Sequence, residues 1–345
     1  MGGPRFPPNI FMEKQKTFEQ IQNSINQEYG EGTAFVFGEN EVLPNIDTIS
    51  TSSFGLDDAC GQGVPRGRVT EFFGPPGCGK TTVSLHCIAE AQKQGLKAAF
   101  IDMEHALDIG YAKALGIDLS KVLIVQPDYA EAALKIIEDL ARNEEFGIIV
   151  VDSVAAMTPK AEIEGAFGDS NMGLMARLMS QAMRKLTSVV HKQNVALIFI
   201  NQTRMKLGVF FGNPEVTTGG NALKFYASLR VSFKQKSKKD TDGGITSCDV
   251  EAYVVKNKIV APFKKAFFPI VFGKGIDRIG EIFDTAVKYE IIEKSGAWFN
   301  YNKDRIGHGR EKALVALATK NFEPMLEQIL NEIKTHSKES SQERE

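Results

Sequence analysis

Gly74-Pro75-Pro76-Gly77-Cys78-Gly79-Lys80-Thr81 follows the apolar run Val69-Thr70-Glu71-Phe72-Phe73 and leads into a helix-forming stretch over residues 82–92. The octet fits G-x-x-x-x-G-K-[ST], a motif that carries phosphate when it lies between a strand and a helix. Its glycines let backbone N–H groups turn inward around β- and γ-phosphates, and the helix N-terminus adds partial positive charge. Lys80 then holds the phosphates as a point charge, and the Thr81 hydroxyl is placed to ligate Mg²⁺. Residues Gly74 through Thr82 are therefore the expected nucleoside triphosphate contacts.

Working outward, Ala98-Ala99-Phe100-Ile101, Ile148-Ile149-Val150-Val151 and Ala196-Leu197-Ile198-Phe199-Ile200 are short apolar runs separated by helical stretches. Such runs mark strands buried on both faces, and hence a mostly parallel sheet in an α/β domain. Open sheets of this kind place ligands at the carboxyl ends of their strands. There the sequence puts Asp152, expected to orient Mg²⁺ and its waters, together with Glu104 and Gln202. Glu104 suits a base that places the attacking water, and Gln202 an amide that feels a γ-phosphate. Periodicity alone leaves both open to the plainer reading of solvated strand ends.

After Gln202, residues 203–220 mix Arg204 and Lys206 with Met205, Phe210 and Phe211 among Gly208, Gly212, Gly219, Gly220 and Pro214. A segment this long without regular structure is commonly functional or disordered. Cations interleaved with aromatics suit a nucleic-acid strand, while a lid over the nucleotide is the alternative. Residues 164–173 form a second, shorter segment of similar character. Lys256 and Lys258, two apart, are expected on one face of a strand, either solvated or offered to a nucleotide of the next subunit. Near the start, Phe18, Ile21, Ile25 and Tyr29 recur at helical spacing and form an apolar stripe. A helix of about four turns is marginal alone, so the stripe must dock, on its own core or on a neighbouring subunit.

Composition narrows the classes further. The 345 residues are 43% hydrophobic and 24% charged, too apolar for wholesale disorder. Lys plus Arg total 41 and Asp plus Glu 43, a formal charge of −2, which excludes a polybasic protein but not local basic loops. No apolar run approaches the ~18 residues of a transmembrane helix. The start, Met1-Gly2-Gly3-Pro4-Arg5, lacks a secretory h-region, so a cytoplasmic location is expected. Cys60, Cys78, Cys87 and Cys248 form no C-x-x-C pair. Cys78, near a helix N-terminus, is either a reactive thiol or a buried inert one.

More specific are Val151-Asp152-Ser153-Val154-Ala155-Ala156, Thr158-Pro159-Lys160-Ala161-Glu162-Ile163-Glu164-Gly165 and Gly168-Asp169-Ser170 with Met172-Gly173-Leu174. Met179-Ser180-Gln181-Ala182-Met183-Arg184, Phe211-Gly212-Asn213-Pro214-Glu215, Gly219-Gly220-Asn221-Ala222-Leu223-Lys224-Phe225-Tyr226 and Val254-Val255-Lys256-Asn257-Lys258 join them. Over about residues 16–320 the chain closely resembles the bacterial RecA recombinase family. The resemblance implies a RecA-type P-loop ATPase: an α/β core over residues 43–276 with a mostly parallel central sheet, an N-terminal helical arm over 1–42, and a small α+β C-terminal domain with a polar tail over 277–345. It implies a DNA-dependent ATPase that uses ATP and Mg²⁺, filaments on single-stranded DNA and exchanges strands with homologous double-stranded DNA.

By the same resemblance Glu104 would activate water, Gln202 would couple the γ-phosphate to the DNA loop, and Lys256 and Lys258 would reach the ATP of the adjacent protomer. Asp108 and Tyr111 would hold the adenine. Gly165, Met172, Arg204, Met205, Lys206, Phe210, Phe211, Asn213, Gly219 and Gly220 would line DNA, with Arg177, Ser180 and Arg184 at phosphates. Phe18, Ile21, Ile25 and Phe225 would lie at the interface between protomers. Promotion of SOS repressor self-cleavage is also implied. The family usually has Pro-Glu-Ser-Ser within the phosphate loop, Glu for Ala166, Ile for Thr203, and basic residues for Glu251 and Tyr253; the last pair bears on uptake of duplex DNA. A hexameric helicase or zinc-ribbon paralogue is disfavoured by the missing C-x-x-C pair and by Lys256-Asn257-Lys258. A non-hydrolysing scaffold is disfavoured by Lys80, Glu104 and Asp152.

Overall fold

The computed structural model describes residues 17–31, 33–34, 46–166, 173–205, 215–241 and 244–342. The chain divides into two units, residues 1–45 and 46–345. In the first, helix α1 (Phe18–Tyr29) begins with a capping box in which the Thr17 hydroxyl accepts the Gln20 N–H and the Gln20 side chain accepts the Thr17 N–H. None of its residues is buried, and Phe18, Ile21 and Tyr29 are exposed.

In the second unit, β1 (Thr48–Ile49), α2 (Phe54–Cys60) and β2 (Val64–Pro65) lead into the expected alternation. It runs β3 (Val69–Gly74), α3 (Lys80–Lys93), β4 (Lys97–Asp102), α4 (Ile109–Ala114), β5 (Val122–Val125), α5 (Ala130–Ala141) and β6 (Phe146–Asp152). Then come α6 (Lys160–Glu164), α7 (Leu174–Lys192), β7 (Ala196–Met205), β8 (Glu215–Thr217) and α8 (Ala222–Tyr226). Long antiparallel strands β9 (Leu229–Thr241) and β10 (Gly244–Asn257) are followed by β11 (Lys265–Val271) and β12 (Gly275–Ile276).

These strands form a ten-stranded sheet in the order β12-β11-β10-β9-β3-β7-β6-β4-β5, with β8 paired to β7. From β9 to β5 every pairing is parallel, and from β9 to β12 every pairing is antiparallel. Period-two alternation explains why the parallel strands are apolar throughout. Ile148 and Val150 face one layer with Phe72, Phe100 and Ile198, under α3. Ile149 and Val151 face the other with Leu197 and Phe199, under α5 and α7. Each such side chain contributes roughly 1.5–3 kcal/mol by leaving water, so the two layers fix the sheet and with it the strand ends.

Beyond β12, α9 (Arg278–Lys288), the three-stranded sheet of β13 (Glu293–Ser295), β14 (Trp298–Tyr301) and β15 (Asp304–His308), and helices α10 (Arg310–Leu317) and α11 (Glu323–Gln342) share their own apolar cluster. Phe283 and Phe299 meet edge-to-face within it at 4.9 Å. Helix α11 thus carries regular structure into the polar tail as far as Gln342.

Two buried polar joints brace the chain here, one between α9 and α2 and one between β12 and α3. Glu281 accepts hydrogen bonds from the Ser53 hydroxyl (2.8 Å) and from the Gly55 (2.8 Å) and Phe54 (3.1 Å) N–H groups, and burial pushes its carboxyl up to about 7. His86 Nε2 accepts the Ile276 N–H at 2.9 Å, and burial lowers the imidazole to about 4. Among the described residues no helix is long and apolar enough to cross a membrane.

Candidate functional site

The phosphate loop links β3 to α3 at the carboxyl edge of the parallel strands, so the N–H groups that open α3 point out of the sheet. Gly79 takes φ +90°, and a Cβ there would stand 2.4 Å from Ile270 Cδ1; only glycine lets the loop pass beneath β11. The buried Lys80 ammonium donates to the carbonyls of Gly74 (3.1 Å) and Pro75 (2.6 Å), which aims it across the mouth of the loop. Cys78 is buried beside it, 3.5 Å from Nζ, and burial pushes the thiol up. That environment selects the inert alternative for this cysteine.

Thr81 Oγ1 donates to Asp152 Oδ2 at 2.7 Å, bringing together the two residues expected at a cation. Burial raises the Asp152 carboxyl to about 6, opposed by the Thr81 bond and reinforced by Glu104. The pair offers oxygen only, which suits a hard divalent ion. Among the described residues no group of three or more His, Cys, Asp or Glu side chains could hold a metal, so phosphate and water oxygens would complete the shell, as Mg²⁺ prefers.

Beside this pair, Glu104 Oε1 accepts from Ser153 Oγ at 2.5 Å and from Gln202 Nε2 at 3.0 Å. Glu104 and Ser153 follow the last residues of β4 and β6, and Gln202 lies within β7 opposite Gly74; the three strands are adjacent in the sheet. Glu104 itself is exposed, on a turn that the buried Asp102 holds by accepting from the Ala106 and Leu107 N–H groups at 3.3 Å and from Gln126 Nε2 at 3.0 Å. Sequence reasoning assigned nothing to Ser153, although it follows Asp152 directly, and nothing to Asp102.

Alongside the loop lies a cavity of about 610 Å³, lined by residues 77–82 and by Asp108 and Tyr111, where a base was expected. Asp108 caps α4 by accepting the Tyr111 N–H at 2.9 Å, and the Tyr111 hydroxyl lies 3.1 Å from Thr82 Oγ1. Cys248, Ile270, Phe272 and Gly273 complete the wall. No sequence signal marks them, because the antiparallel extension reaches the site only through the strand order.

Arg177, Ser180 and Arg184 share one face of α7, with both arginines exposed and the Ser180 hydroxyl donating to the Ala176 carbonyl at 2.8 Å. Gly219 and Gly220 pass so near that a Cβ on Gly220 would stand 2.7 Å from Ala176 Cβ. Arg204 and Met205 end β7 and are exposed, as is Gly165 after α6. Met172, Lys206, Phe210, Phe211 and Asn213 lie outside the described residues.

The expectation that Lys256 and Lys258 share a strand face needs correction. Strand β10 ends at Asn257, and its register shifts between Val254 and Lys256, so Lys258 stands in the following turn. Lys256 donates to the carbonyls of Lys224 (2.7 Å) and Phe225 (2.8 Å), and burial, then Lys258 and Arg230, lower its pKa. The Phe225 ring is 72% exposed. Glu251 pairs with Lys236 (3.0 Å) and Lys265 (3.7 Å), whose ammonium also lies 5.6 Å from the Tyr253 ring, so the acid at this position is outnumbered by cations.

A mostly parallel sheet with a phosphate loop at its carboxyl edge and an amide on the neighbouring strand defines a P-loop protein of the recombinase fold. In keeping with this, the structure is similar to that of the RadB recombinase, with a TM-score of 0.52 at 22% identity over 66% of this chain and 98% of that one. The sequence matches the RecA N-terminal domain over residues 16–277 and the RecA C-terminal domain over residues 280–338. It is 53% identical to Protein RecA of Citrifermentans bemidjiense over 88% of this chain and 90% of that one, and 52% identical to Protein RecA of Nitratiruptor sp. over 93% of each. The chain belongs to the RecA family.

Proposed function

We propose that the chain is a DNA-dependent ATPase that assembles as a filament on single-stranded DNA and catalyses homologous pairing and strand exchange in recombinational repair. The observation that carries this reading is the 3.0 Å bond between Gln202 Nε2 and Glu104 Oε1, because it joins a base beside the phosphate loop to the strand that opens into residues 206–214. ATP is the proposed substrate, its phosphates held by residues 74–82 and its base between Asp108 and Tyr111. Thr81 and Asp152 would hold Mg²⁺, which neutralises charge developing on the phosphates.

Glu104 orients the attacking water and takes its proton at a carboxylate oxygen. Gln202 exchanges Glu104 for a γ-phosphate oxygen, and the shift of its amide carries nucleotide state into the flanking segment. Lys256 and Lys258 add positive charge at the nucleotide of the adjacent protomer. Arg177, Ser180, Arg184, Arg204 and the neighbouring segments grip the strand mainly by phosphate charge and stacking. The arm over residues 1–42, with Phe18, Ile21 and Ile25, docks on a neighbouring protomer near Phe225; residues 43–276 form the catalytic core and 277–345 the C-terminal domain. Lys236 and Lys265 offset Glu251, which favours uptake of a homologous duplex. Such a filament also serves as the platform for SOS repressor self-cleavage, and its DNA substrate puts its work in the cytoplasm.

ATP hydrolysis measured with and without single-stranded DNA, with microscopy of the same samples, tests the reading. Strong stimulation together with filaments is the expected result. Turnover indifferent to DNA would refute it.

A further inference from the structure

The charged residue Glu71 interrupts the apolar strand β3 and is wholly buried. Its Oε2 accepts from Arg230 Nε on β9 at 2.5 Å, and its Oε1 accepts from Asn201 Nδ2 on β7 at 3.0 Å. Asn201 in turn binds in three more directions. Its Oδ1 accepts from the Thr218 hydroxyl (2.5 Å) and from the Gln202 N–H (2.9 Å), while its Nδ2 also reaches the Thr218 carbonyl (3.1 Å). At the other end Arg230 stacks 4.6 Å from the Phe73 ring centre and is the register partner of Lys256.

A chain of hydrogen-bonded side chains thus runs through the core from Arg230, which stands opposite Lys256 in the β9–β10 ladder, by Glu71 and Asn201 to Gln202 and Thr218. A buried ion pair commonly contributes no more to stability than apolar residues of the same volume would. What it does supply is geometry. One amide joins the backbone of Gln202 to the residue that precedes Gly219-Gly220, and so anchors the inner end of the β7–β8 ladder, whose pairs run from Thr203–Thr217 to Met205–Glu215. Satisfied networks in low dielectric are stiff, and they fail as units.

We propose that Glu71 and Asn201 are positioning residues that set Gln202 and Thr218 relative to the Lys256 edge, and so determine how strongly bound DNA drives ATP turnover. The proposal rests on the DNA-dependent ATPase reading and adds a regulatory element to it. Both residues are wholly buried, so each acts through the groups it holds.

The test uses the full chain, with a poly-thymidine oligonucleotide as the DNA probe. Asn201→Asp replaces the donor facing Glu71 by a second carboxylate. It is expected to raise the DNA concentration for half-maximal turnover about tenfold, the loss of roughly one charged hydrogen bond, while the KM for ATP stays within about twofold. Glu71→Gln should do likewise, and the double variant, in which amide and carboxylate exchange places, should recover to within about threefold of the parent.

Should the core variants fold poorly, Thr218→Val removes only a half-buried hydroxyl donor and should raise the same DNA requirement several-fold, whereas Thr218→Ser should not. A parental DNA requirement in Asn201→Asp or Thr218→Val overturns the proposal. A KM for ATP that rises in step with the DNA requirement also overturns it, because that marks general loosening of the core. If the parent chain shows no DNA stimulation, it is the ATPase reading itself that falls.

Discussion

A carboxylate engaged by two donors is well placed but not yet free to act. Glu104 accepts from Ser153 and Gln202 through the same oxygen, which leaves its second oxygen to meet a water. Replacing Glu104 by Gln keeps the shape and removes the proposed base. Turnover is expected to fall on the order of 10²–10⁴-fold while ATP still binds, as single-turnover kinetics beside an equilibrium titration would show. At this scale the sequence was legible where chemistry demands a residue type at a strand end: Lys80, Thr81, Asp152, Glu104 and Gln202 all stand around one loop. Ser153 and Asp102 were not legible, because a hydroxyl or carboxylate becomes a positioning group only through the direction its turn gives it. Lys256 was misjudged for a related reason, since a register shift in β10 breaks the alternation that its spacing assumes.

Among the elements, the parallel strands were easy to read because burial on both faces leaves an unbroken apolar run. Their order was not, since pairing partners lie far apart in sequence and no local pattern encodes them. That is why the strand character of residues 267–272 is legible while their place in the cavity wall, through Ile270, Phe272 and the following Gly273, is not. The joint between β12 and α3 offers an element-scale test. Gly275 takes φ +84°, and a Cβ there would stand 2.3 Å from His86 Nε2. Gly275→Ala should therefore cost about 1–2 kcal/mol of backbone strain, and more where His86 is pushed off the Ile276 N–H. A lower midpoint in urea denaturation, with the slope preserved, is the expected observation.

For the whole molecule, the two buried joints make opposite demands on pH. His86 has a folded pKa of about 4, below its ordinary 6.5, so the unfolded chain binds the proton first and stability is lost as pH falls from 6.5 towards 4. Glu281 has a folded pKa of about 7, above its ordinary 4.5, so its protonated form favours the fold and stability is lost as pH rises from 4.5 through 7. Each contributes up to about 3 kcal/mol over its window. Thermal unfolding across pH 4–8 should show His86→Gln flattening the acid limb and Glu281→Gln the neutral one; coincident profiles for parent and variants would remove both residues from the account. All four cysteines are buried, Cys78 among them at the phosphate loop. Peroxide attacks accessible thiolates and DNA alike. A protein whose proposed task begins when DNA is damaged therefore keeps the sulfhydryl at its phosphate loop buried, out of reach of direct attack at the surface.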